Sequence, residues 1–241
     1  MTNDQTSETT TTQPVSKLII VRWLVREYMG TAITGVILFL AAGRMDWIMG
    51  WILVGITAAW VTANAIILIP RSPELLAERL GPRKGGKSWD MIIMMIVAVA
   101  TIGRLVVAGL DDRFGWSTGI DVPIQVIAAV VAALAYALVT WATGVNAFFS
   151  QIVRIQEERG HSVATGGPYR FVRHPGYVGS ILFELAVPIM LASWWALALG
   201  GLNALLFILR TALEDRTLQA ELEGYPEYTR QTRYRLLPGI W

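Results

Sequence analysis

The sequence predicts an all-helical membrane protein, a polytopic bundle of about six transmembrane helices. The first observation is composition: of 241 residues, 54% are hydrophobic and only 16% are charged, against about 25% charged in an average soluble domain. The second is that apolar segments near the roughly 20-residue length of a spanning helix recur along the chain. The third is that basic residues cluster between alternate segments. Lipid must therefore solvate much of this apolar surface.

Six apolar segments are candidate spanning helices: residues 28–42, 47–69, 91–110, 122–149, 177–192 and 194–213. Residues 17–26 are expected to extend the first as a partly interfacial helix. The last two form a helical hairpin whose turn falls either at Ala192-Ser193 or at Gly200-Gly201. The first position is preferred because it gives equal spans and puts the Trp194-Trp195 pair at the membrane interface, where Trp is favoured.

The basic residues predict the orientation of these helices. With both termini in the cytoplasm, all but three of the 20 Lys and Arg residues lie on the inner side, as the positive-inside rule expects. The three exceptions are Arg44, Arg104 and Arg113. Arg104 lies in the outer part of the third span and is expected to snorkel toward Asp111 or Asp112.

The rest of the composition limits function and domain organisation. Residues 1–16 are polar and Thr-rich and are predicted to be a disordered tail, which leaves residues 17–241 as one membrane-embedded domain. The net charge of +2 is too small to favour a nucleic acid as partner. The chain has no Cys and two His, which are not spaced i, i+4, so we expect no metal site.

Polar residues concentrate in the inner segments, so any chemistry is expected at the cytoplasmic face. Residues 73–80 (PELLAERL) predict an amphipathic interfacial helix, and the basic glycine-rich loop after it predicts a contact with anionic lipid. Segments 151–173 and 210–241 are dense in Arg, Glu, Tyr and Gly. His161 lies in a polar loop and is given no role.

The segment 166–179 (GGPYRFVRHPGYVG) holds the first candidate site. Pro175 directly after His174 predicts that a helix begins there. At 100° per residue Tyr177 and Glu184 share a face of this helix, and His174 lies on the same side. An ionisable residue such as Glu184 inside a span is a candidate functional residue by default. The alternative is that His174 is a structural hydrogen-bonding residue.

The segment after the last span holds the second candidate site. Glu214 and Asp215 follow close to the depth expected for His174, and Tyr225 and Tyr228 add aromatic surface. Carboxylates and Tyr rings suit a positively charged ligand, and Arg suits its carboxylate. The alternative is an exposed helix end stabilised by the i, i+4 pair of Arg210 and Glu214.

These motifs resemble the isoprenylcysteine carboxyl methyltransferase and phospholipid methyltransferase superfamily. The resemblance is densest over residues 151–241, where GPYRFVRHPGYVG, RTALEDRTL and GYPEYTRQTRYRLLPGIW follow one another, and RIQEERGH and PELLAERL also fit. It implies an integral membrane methyltransferase with an all-helical, non-Rossmann site for S-adenosylmethionine. The acceptor implied is lipophilic or small, and the membrane is expected to be a bacterial inner membrane.

The resemblance also implies roles for individual residues. His174 and Tyr177 would line the cofactor pocket, with Pro175 and Gly179 shaping the turn. Glu214 would lie at the reacting end, with Asp215 beside it. Further positions matching the cofactor site are Gly167, Tyr169, Arg210, Tyr225 and Tyr228. Relatives often carry Met at position 176, which is Gly here.

The expected chemistry is in-line methyl transfer with exclusion of water. An amine or thiol acceptor must lose a proton, which Glu214 or His174 would take, whereas a carboxylate needs no base. Arg210 is expected at the same reacting centre, and Glu184 and Arg173 are expected to contact an acceptor that enters from lipid.

Two other functional classes remain open. One is an NADPH-dependent membrane reductase of the sterol-reductase type, whose C-terminal region can look similar. The other is a transporter or scaffold, although the two halves show no repeat and the polar residues lie at one face rather than the midplane. A prenylcysteine, a phospholipid amine, another lipid and a small thiol all remain possible acceptors.

Overall fold

The computed structural model describes residues 16–81 and 85–241, and every regular element in that part is helical. The helices are α1 (Lys17–Ala42), α2 (Ile48–Arg71), α3 (Pro73–Leu80), α4 (Ser88–Phe114), α5 (Val122–Val145), α6 (Pro175–Met190), α7 (Trp194–Glu221) and α8 (Tyr225–Gln231). Two short 3₁₀ helices lie at Glu157–Arg159 and Gly167–Arg170. Residues 1–15 of the predicted tail and 82–84 of the predicted basic loop lie outside the described residues.

The fold class predicted from composition is confirmed: the chain is a polytopic membrane bundle of helices. Five helices, α1, α2, α4, α5 and α7, are long and apolar enough to cross a membrane. The apolar helix α6 has 16 residues and extends about 24 Å, less than the roughly 30 Å of a hydrocarbon core. Six spans and cytoplasmic termini stay predictions.

The six long helices form a closed circuit of neighbours. Helix α1 packs against α2 and α4, α4 against α7, α7 against α6, α6 against α5, and α5 against α2; the short helix α3 packs against α1 and α2. Glycines permit close contacts of the kind common between membrane helices. A Cβ added at Gly109 would lie 2.6 Å from the Ala41 Cβ, and one at Gly179 would lie 2.5 Å from the Ala135 carbonyl oxygen.

The hairpin of α6 and α7 turns at the preferred position, between Met190 and Trp194, and not at Gly200-Gly201. Ser193 caps α7, because its hydroxyl accepts the N–H of Ala196 at 3.0 Å. The same hydroxyl donates to the buried carboxylate of Asp111 on α4 at 2.5 Å. The turn is therefore fixed by a side chain of a third helix.

The prediction for Arg104 is wrong. Its side chain is 3% exposed and pairs with Glu184 of α6 at 3.3 Å. Asp111 instead accepts two serine hydroxyls, and Asp112 pairs with Arg44 at 2.9 Å. Snorkelling requires a side chain that faces lipid near a helix end, whereas Arg104 faces the interior of the bundle, where a buried cation needs a buried carboxylate.

Two helix ends differ from the predicted spans in ways that matter for the site. Helix α5 ends at Val145 rather than at residue 149, because the side chain of Asn146 accepts the N–H of Phe148 at 2.9 Å and closes a turn. Helix α7 runs on to Glu221. Its last two turns carry Glu214 and Asp215 to the end of the bundle where α6 begins.

Candidate active site

This end of the bundle encloses a cavity of about 450 Å³. Its walls come from the start of α6, the second half of α7, the end of α5, α8 and the loop of residues 146–164. Trp60 of α2 and Arg79 of α3 also reach it. The volume lies within the range of small-molecule sites, about 300–1,000 Å³.

The start of α6 forms one wall of the cavity and is built as predicted. His174 precedes the helix and Pro175 is its first residue, a position where the missing N–H and fixed φ of proline suit a helix. The backbone N–H of Arg173 donates to the Tyr234 carbonyl at 2.9 Å, and that of His174 donates to the Arg235 carbonyl at 3.0 Å. The C-terminal segment is therefore bound directly to the site.

Asp215 is a fully buried carboxylate that organises this corner. Arg173 donates to it through Nε at 2.8 Å and through Nη2 at 3.0 Å, and Arg235 donates at 2.8 Å. The Tyr225 hydroxyl donates to it at 3.0 Å, and the His174 Nε2 lies 3.2 Å away. Burial opposes the charge of Arg173, but the bond to Asp215 raises the pKa of the guanidinium. Asp215 lies behind the cavity wall and positions the side chains that form it.

Glu214 has a different environment, because it lines the cavity itself. It accepts a hydrogen bond from the Tyr177 hydroxyl. Arg210, one turn earlier, is directed at Asp90 of α4 at 2.6 Å and at the Gln151 carbonyl at 2.9 Å. The alternative of an exposed pair between Arg210 and Glu214 is therefore wrong, and Glu214 has no ion-pair partner in the part of the chain that the structure describes.

Tyrosines supply most of the aromatic surface around these charges. The Arg210 guanidinium lies 5.5 Å from the ring centroid of Tyr177. The Tyr228 hydroxyl donates to the Tyr169 carbonyl at 2.7 Å. Burial raises the pKa of Tyr228 to about 12 and raises those of Tyr169 and Tyr225 as well. These phenols are therefore neutral at pH 7; the hydroxyls of Tyr225 and Tyr228 donate hydrogen bonds, and that of Tyr169 accepts one from the Asn146 amide at 3.3 Å.

The loop of residues 146–164 covers the cavity and is tied to α3 and α4. Arg154 forms a bidentate pair with Glu78 of α3 at 2.9 and 2.7 Å, and its hydrogen bonds to Glu78 and Glu158 raise the pKa of its guanidinium. The N–H of Val153 donates to Asp90 at 2.8 Å. Asp90 thus joins the loop to Arg210, so one buried carboxylate fixes two walls.

His161 lies in the same loop and lines the cavity, although the sequence around it predicts no role. Its ring stacks on Phe148 with centroids 4.6 Å apart. Its Nδ1 accepts the N–H of Gln156 at 3.2 Å, so Nε2 carries the proton. Burial lowers the pKa of His161 to about 4, and Arg159 and Arg154 add to the effect. The imidazole is therefore neutral at pH 7.

Most of the predicted site residues meet at this cavity. Its lining includes Tyr169, Arg173, His174, Tyr177, Arg210, Glu214, Tyr225 and Tyr228. Gly179 instead packs on α5, and Gly167 lies beside Trp141 and Val145 with a φ of +53°, a conformation that favours glycine. Pro175 is buried at the start of α6.

Glu184 is a further predicted residue that does not reach the cavity lining. It lies two turns beyond Tyr177, about 10 Å along the helix. It accepts from the Asn203 side chain at 2.8 Å and pairs with Arg104. Sharing a helix face with Tyr177 was therefore not enough to bring the two side chains to one site.

The charged residues that sequence reasoning missed include Arg79 and Arg154, which line the cavity, and Asp90, which pairs with the lining residue Arg210. For Asp90 the available signal was a carboxylate at the start of an apolar span. The other two offered only the amphipathic pattern of α3 and the charge of the loop. Among the described residues no group of three or more His, Cys, Asp and Glu could hold a metal ion.

The comparisons with known proteins match the part of the chain that contains α6 and most of α7. The model of the isoprenylcysteine carboxyl methyltransferase family matches residues 123–220. Two proteins of rice, from Oryza sativa subsp. indica and subsp. japonica, are each called a "Probable protein-S-isoprenylcysteine O-methyltransferase". Each is 25% identical over 142 residues, 56% of this chain and 71% of the relative.

The chain is similar to the isoprenylcysteine carboxyl methyltransferase family over residues 123–220, and this match and the rice relatives support membership of that superfamily. Together with the five apolar helices, this similarity supports an integral membrane methyltransferase. The matched residues contain α6 and nearly all of α5 and α7, and therefore Tyr177 and Glu214. Trp60, Arg79 and the segment after residue 220 lie outside the match.

Proposed function

We propose that the protein is an S-adenosylmethionine-dependent methyltransferase that binds its cofactor in the cavity between α6 and α7. The observation that carries the proposal is Glu214, a carboxylate on the cavity wall without an ion-pair partner among the described residues. Tyr177 lies beside it, and Tyr225 and Tyr228 line the same cavity. A carboxylate with aromatic faces suits a ligand that carries a sulfonium and an ammonium group.

The cavity also fits this cofactor in size and in the balance of its lining. Its volume of about 450 Å³ suits a drug-sized molecule. Arginines, tyrosines and Glu214 offer partners for a zwitterion, and Phe148 and Phe207 offer apolar surface. S-adenosylmethionine supplies a methyl group already activated on a cationic sulfur. What remains for the protein is to hold donor and acceptor in line and to exclude water.

Glu214 is the proposed proton acceptor when the methyl acceptor is an amine or a thiol. It lines the cavity, whereas Asp215 is occupied by two arginines and a tyrosine. His174 also lines the cavity, but its Nε2 faces Asp215 and the Tyr225 hydroxyl, each at 3.2 Å. We assign His174 to positioning in this scheme. A carboxylate acceptor would require no base.

The acceptor is proposed to be lipophilic or small and to enter from the lipid. Trp60, Met94, Val139 and Phe207 belong to four helices and supply an apolar part of the lining. That surface would suit an apolar group arriving between helices. The proposed membrane is a bacterial inner membrane, with the cavity at the cytoplasmic face, because the clustered basic residues lie at this end.

Calorimetric titration with S-adenosylhomocysteine tests the cofactor assignment. The wild type should bind, and Glu214→Gln should bind about tenfold more weakly, because a charge-assisted hydrogen bond is lost. Glu223→Gln is the matched control, since Glu223 is exposed and outside the cavity lining. No binding by the wild type, or equal weakening in both variants, would contradict the proposal. Competition by NADPH would favour the reductase class instead.

A second experiment identifies the acceptor class. Cells that overproduce the protein are supplied with methionine labelled in its methyl group, and lipid, volatile and protein fractions are separated. The excess label should appear in one fraction and should fall to the background level with Glu214→Gln if that acceptor is an amine or a thiol. Excess label that is unchanged in the variant would contradict the proposed proton transfer to Glu214.

A further inference from the structure

We propose that Arg79 is an anion-binding residue of this cavity. It would bind an oxyanion of the ligand, either the carboxylate of the cofactor's amino-acid part or an oxyanion on the methyl acceptor. Arg79 lies at the end of α3, outside residues 123–220 that the family model matches, and its side chain reaches the cavity lining. The inference rests on the proposed function for its choice of cofactor probe.

The other arginines of the lining differ from Arg79 in having a carboxylate of their own. The pairs, with their distances, are Arg154–Glu78 at 2.7 Å, Arg173–Asp215 at 2.8 Å and Arg210–Asp90 at 2.6 Å. Each of these cations is neutralised within the protein, as buried cations generally must be. They can donate further hydrogen bonds to a ligand, but the protein itself meets their need for a counter-ion.

Arg79 has no such partner among residues 16–81 and 85–241. Its Nη2 donates to the Phe149 carbonyl at 3.2 Å, and its guanidinium lies 5.8 Å from the centroid of the Phe149 ring. Its Nε is shielded from solvent and has no hydrogen-bond partner in the described part of the chain. A shielded guanidinium N–H beside a cavity is a donor that only a ligand or water can satisfy.

The carboxylate of Glu27, which interacts with Arg79 electrostatically, does not supply the missing counter-ion. Glu27 acts on Arg79 at longer range, but its carboxylate is held by Arg26 at 2.5 Å. Burial lowers the pKa of Arg79 to about 10, which reflects the cost of a desolvated cation. A ligand oxyanion would offset that cost.

Arg79 and Glu214 together define the charge that the ligand should carry. Each is a cavity residue without a close counter-ion in the described chain, one positive on α3 and one negative on α7. A zwitterion, or a cationic cofactor bound beside an anionic acceptor, would leave neither charge uncompensated. A neutral alcohol or thiol acceptor would place the oxyanion on the cofactor.

The test compares ligands that differ by one anionic group, in Arg79→Met and in the wild type. The first pair of probes is S-adenosylhomocysteine and its decarboxylated analogue, and the second is hexyl phosphate and hexan-1-ol. Binding is measured by calorimetry on the purified full chain in nanodiscs. Arg71→Met is the matched control, because Arg71 is exposed at the end of α2 and lies outside the cavity lining.

If the cofactor supplies the oxyanion, the wild type should prefer S-adenosylhomocysteine to its decarboxylated analogue by about tenfold or more, and Arg79→Met should remove that preference. If the acceptor supplies it, Arg79→Met should leave both nucleosides unchanged and lose the preference for hexyl phosphate. Arg79→Lys should keep much of either preference, since it keeps the charge.

The proposal is overturned if Arg79→Met retains both preferences, or if Arg71→Met loses them equally. If Arg79→Met does not fold, Arg79→Gln, which keeps a donor for the Phe149 carbonyl, decides by the same criteria. Failure of the wild type to bind S-adenosylhomocysteine would count against the proposed function alone, because the hexyl phosphate arm still tests Arg79.

Discussion

Two adjacent carboxylates, Glu214 and Asp215, serve different purposes because they point in different directions from one helix. Asp215 has no solvent contact and is surrounded by donors from Arg173, Arg235 and Tyr225. Such a saturated carboxylate resists protonation and holds its partners in place. Glu214 accepts only from Tyr177 in the described structure, which leaves capacity for a ligand. Under the proposed function, Asp215 therefore positions the site and Glu214 binds the ligand.

His161 gives a pH-dependent contribution to stability that can be measured. Its folded pKa of about 4 lies below the value of about 6.5 in an unfolded chain. The neutral ring is therefore favoured by folding: its contribution is complete above pH 6.5 and is lost as the pH falls from 6.5 through 4. Thermal unfolding midpoints of the wild type should drop over this window relative to those of His161→Asn.

The Asn variant is a matched comparison because its side-chain oxygen can replace Nδ1 as acceptor for Gln156. Subtracting its profile removes the titration of the other acidic groups. Parallel profiles between pH 4 and 7 would show that His161 is not held in its neutral form.

Cavity residues that share a short sequence motif were predictable, whereas the partners with which cavity residues pair over long sequence separations were not. His174, Tyr177 and Glu214 lie in two motifs that identify them without a structure. Arg210 pairs with Asp90 at a separation of 120 residues, and Arg154 pairs with Glu78 at 76. No local pattern encodes such pairs, since they depend on how the helices are ordered around the bundle.

At the scale of elements, the approach of α6 to α7 depends on Gly200. Pro188 has no N–H, so it leaves the Glu184 carbonyl without its usual helical partner. That carbonyl faces Gly200, where an added Cβ would lie 2.3 Å from its oxygen. Only the hydrogen of a glycine fits at this contact. The contact therefore fixes the distance between α6 and α7 in the hairpin that carries the site.

Replacing two neighbouring glycines should have opposite effects. Gly200→Ala forces α6 and α7 apart and should destabilise the protein by about 1–3 kcal/mol. Gly201→Ala meets nothing within 4 Å and should stabilise it by about 0.5–1 kcal/mol, because glycine is unfavourable inside a helix. Unfolding of both purified variants in the same micelles gives the comparison. Equal effects would show that the contact at Gly200 is not tight.

The elements themselves were largely predictable, because hydrophobic length and turn residues are local signals. The starts of α3 and α6 coincide with prolines, which suit the first turn of a helix. The boundaries that failed depend on interactions invisible to hydropathy. The cap made by Asn146 ends α5 early, and the polar turns beyond the span continue α7 to Glu221.

At the scale of the whole molecule, the ends of the helices separate into two groups. Arg26 donates to the carbonyl of Arg79, and Lys87 pairs with Glu221, at the cavity end. Arg44 pairs with Asp112 at the other end. These contacts require successive long helices to run in alternating directions. The up-and-down arrangement from which the orientation of the basic residues is predicted has the same property.

Site-directed labelling tests the predicted orientation cleanly, because the chain has no Cys. Glu223→Cys should react with an impermeant maleimide only in inverted vesicles, since the cavity end is predicted to face the cytoplasm. Thr118→Cys should react only in right-side-out cells. The reverse pattern would invert the topology, and labelling of both positions from one side would require an even number of spans between them.

The backbone bonds that join Arg173 to Tyr234 and His174 to Arg235 have a consequence for biosynthesis. Helices α1 to α5 can insert and pack while the ribosome is still translating the last quarter of the chain. The backbone bonds from Arg173 and His174 cannot form until residues 234 and 235 have left the exit tunnel. Every nascent chain therefore passes through a stage in which its membrane helices are present but this end of the bundle is still open.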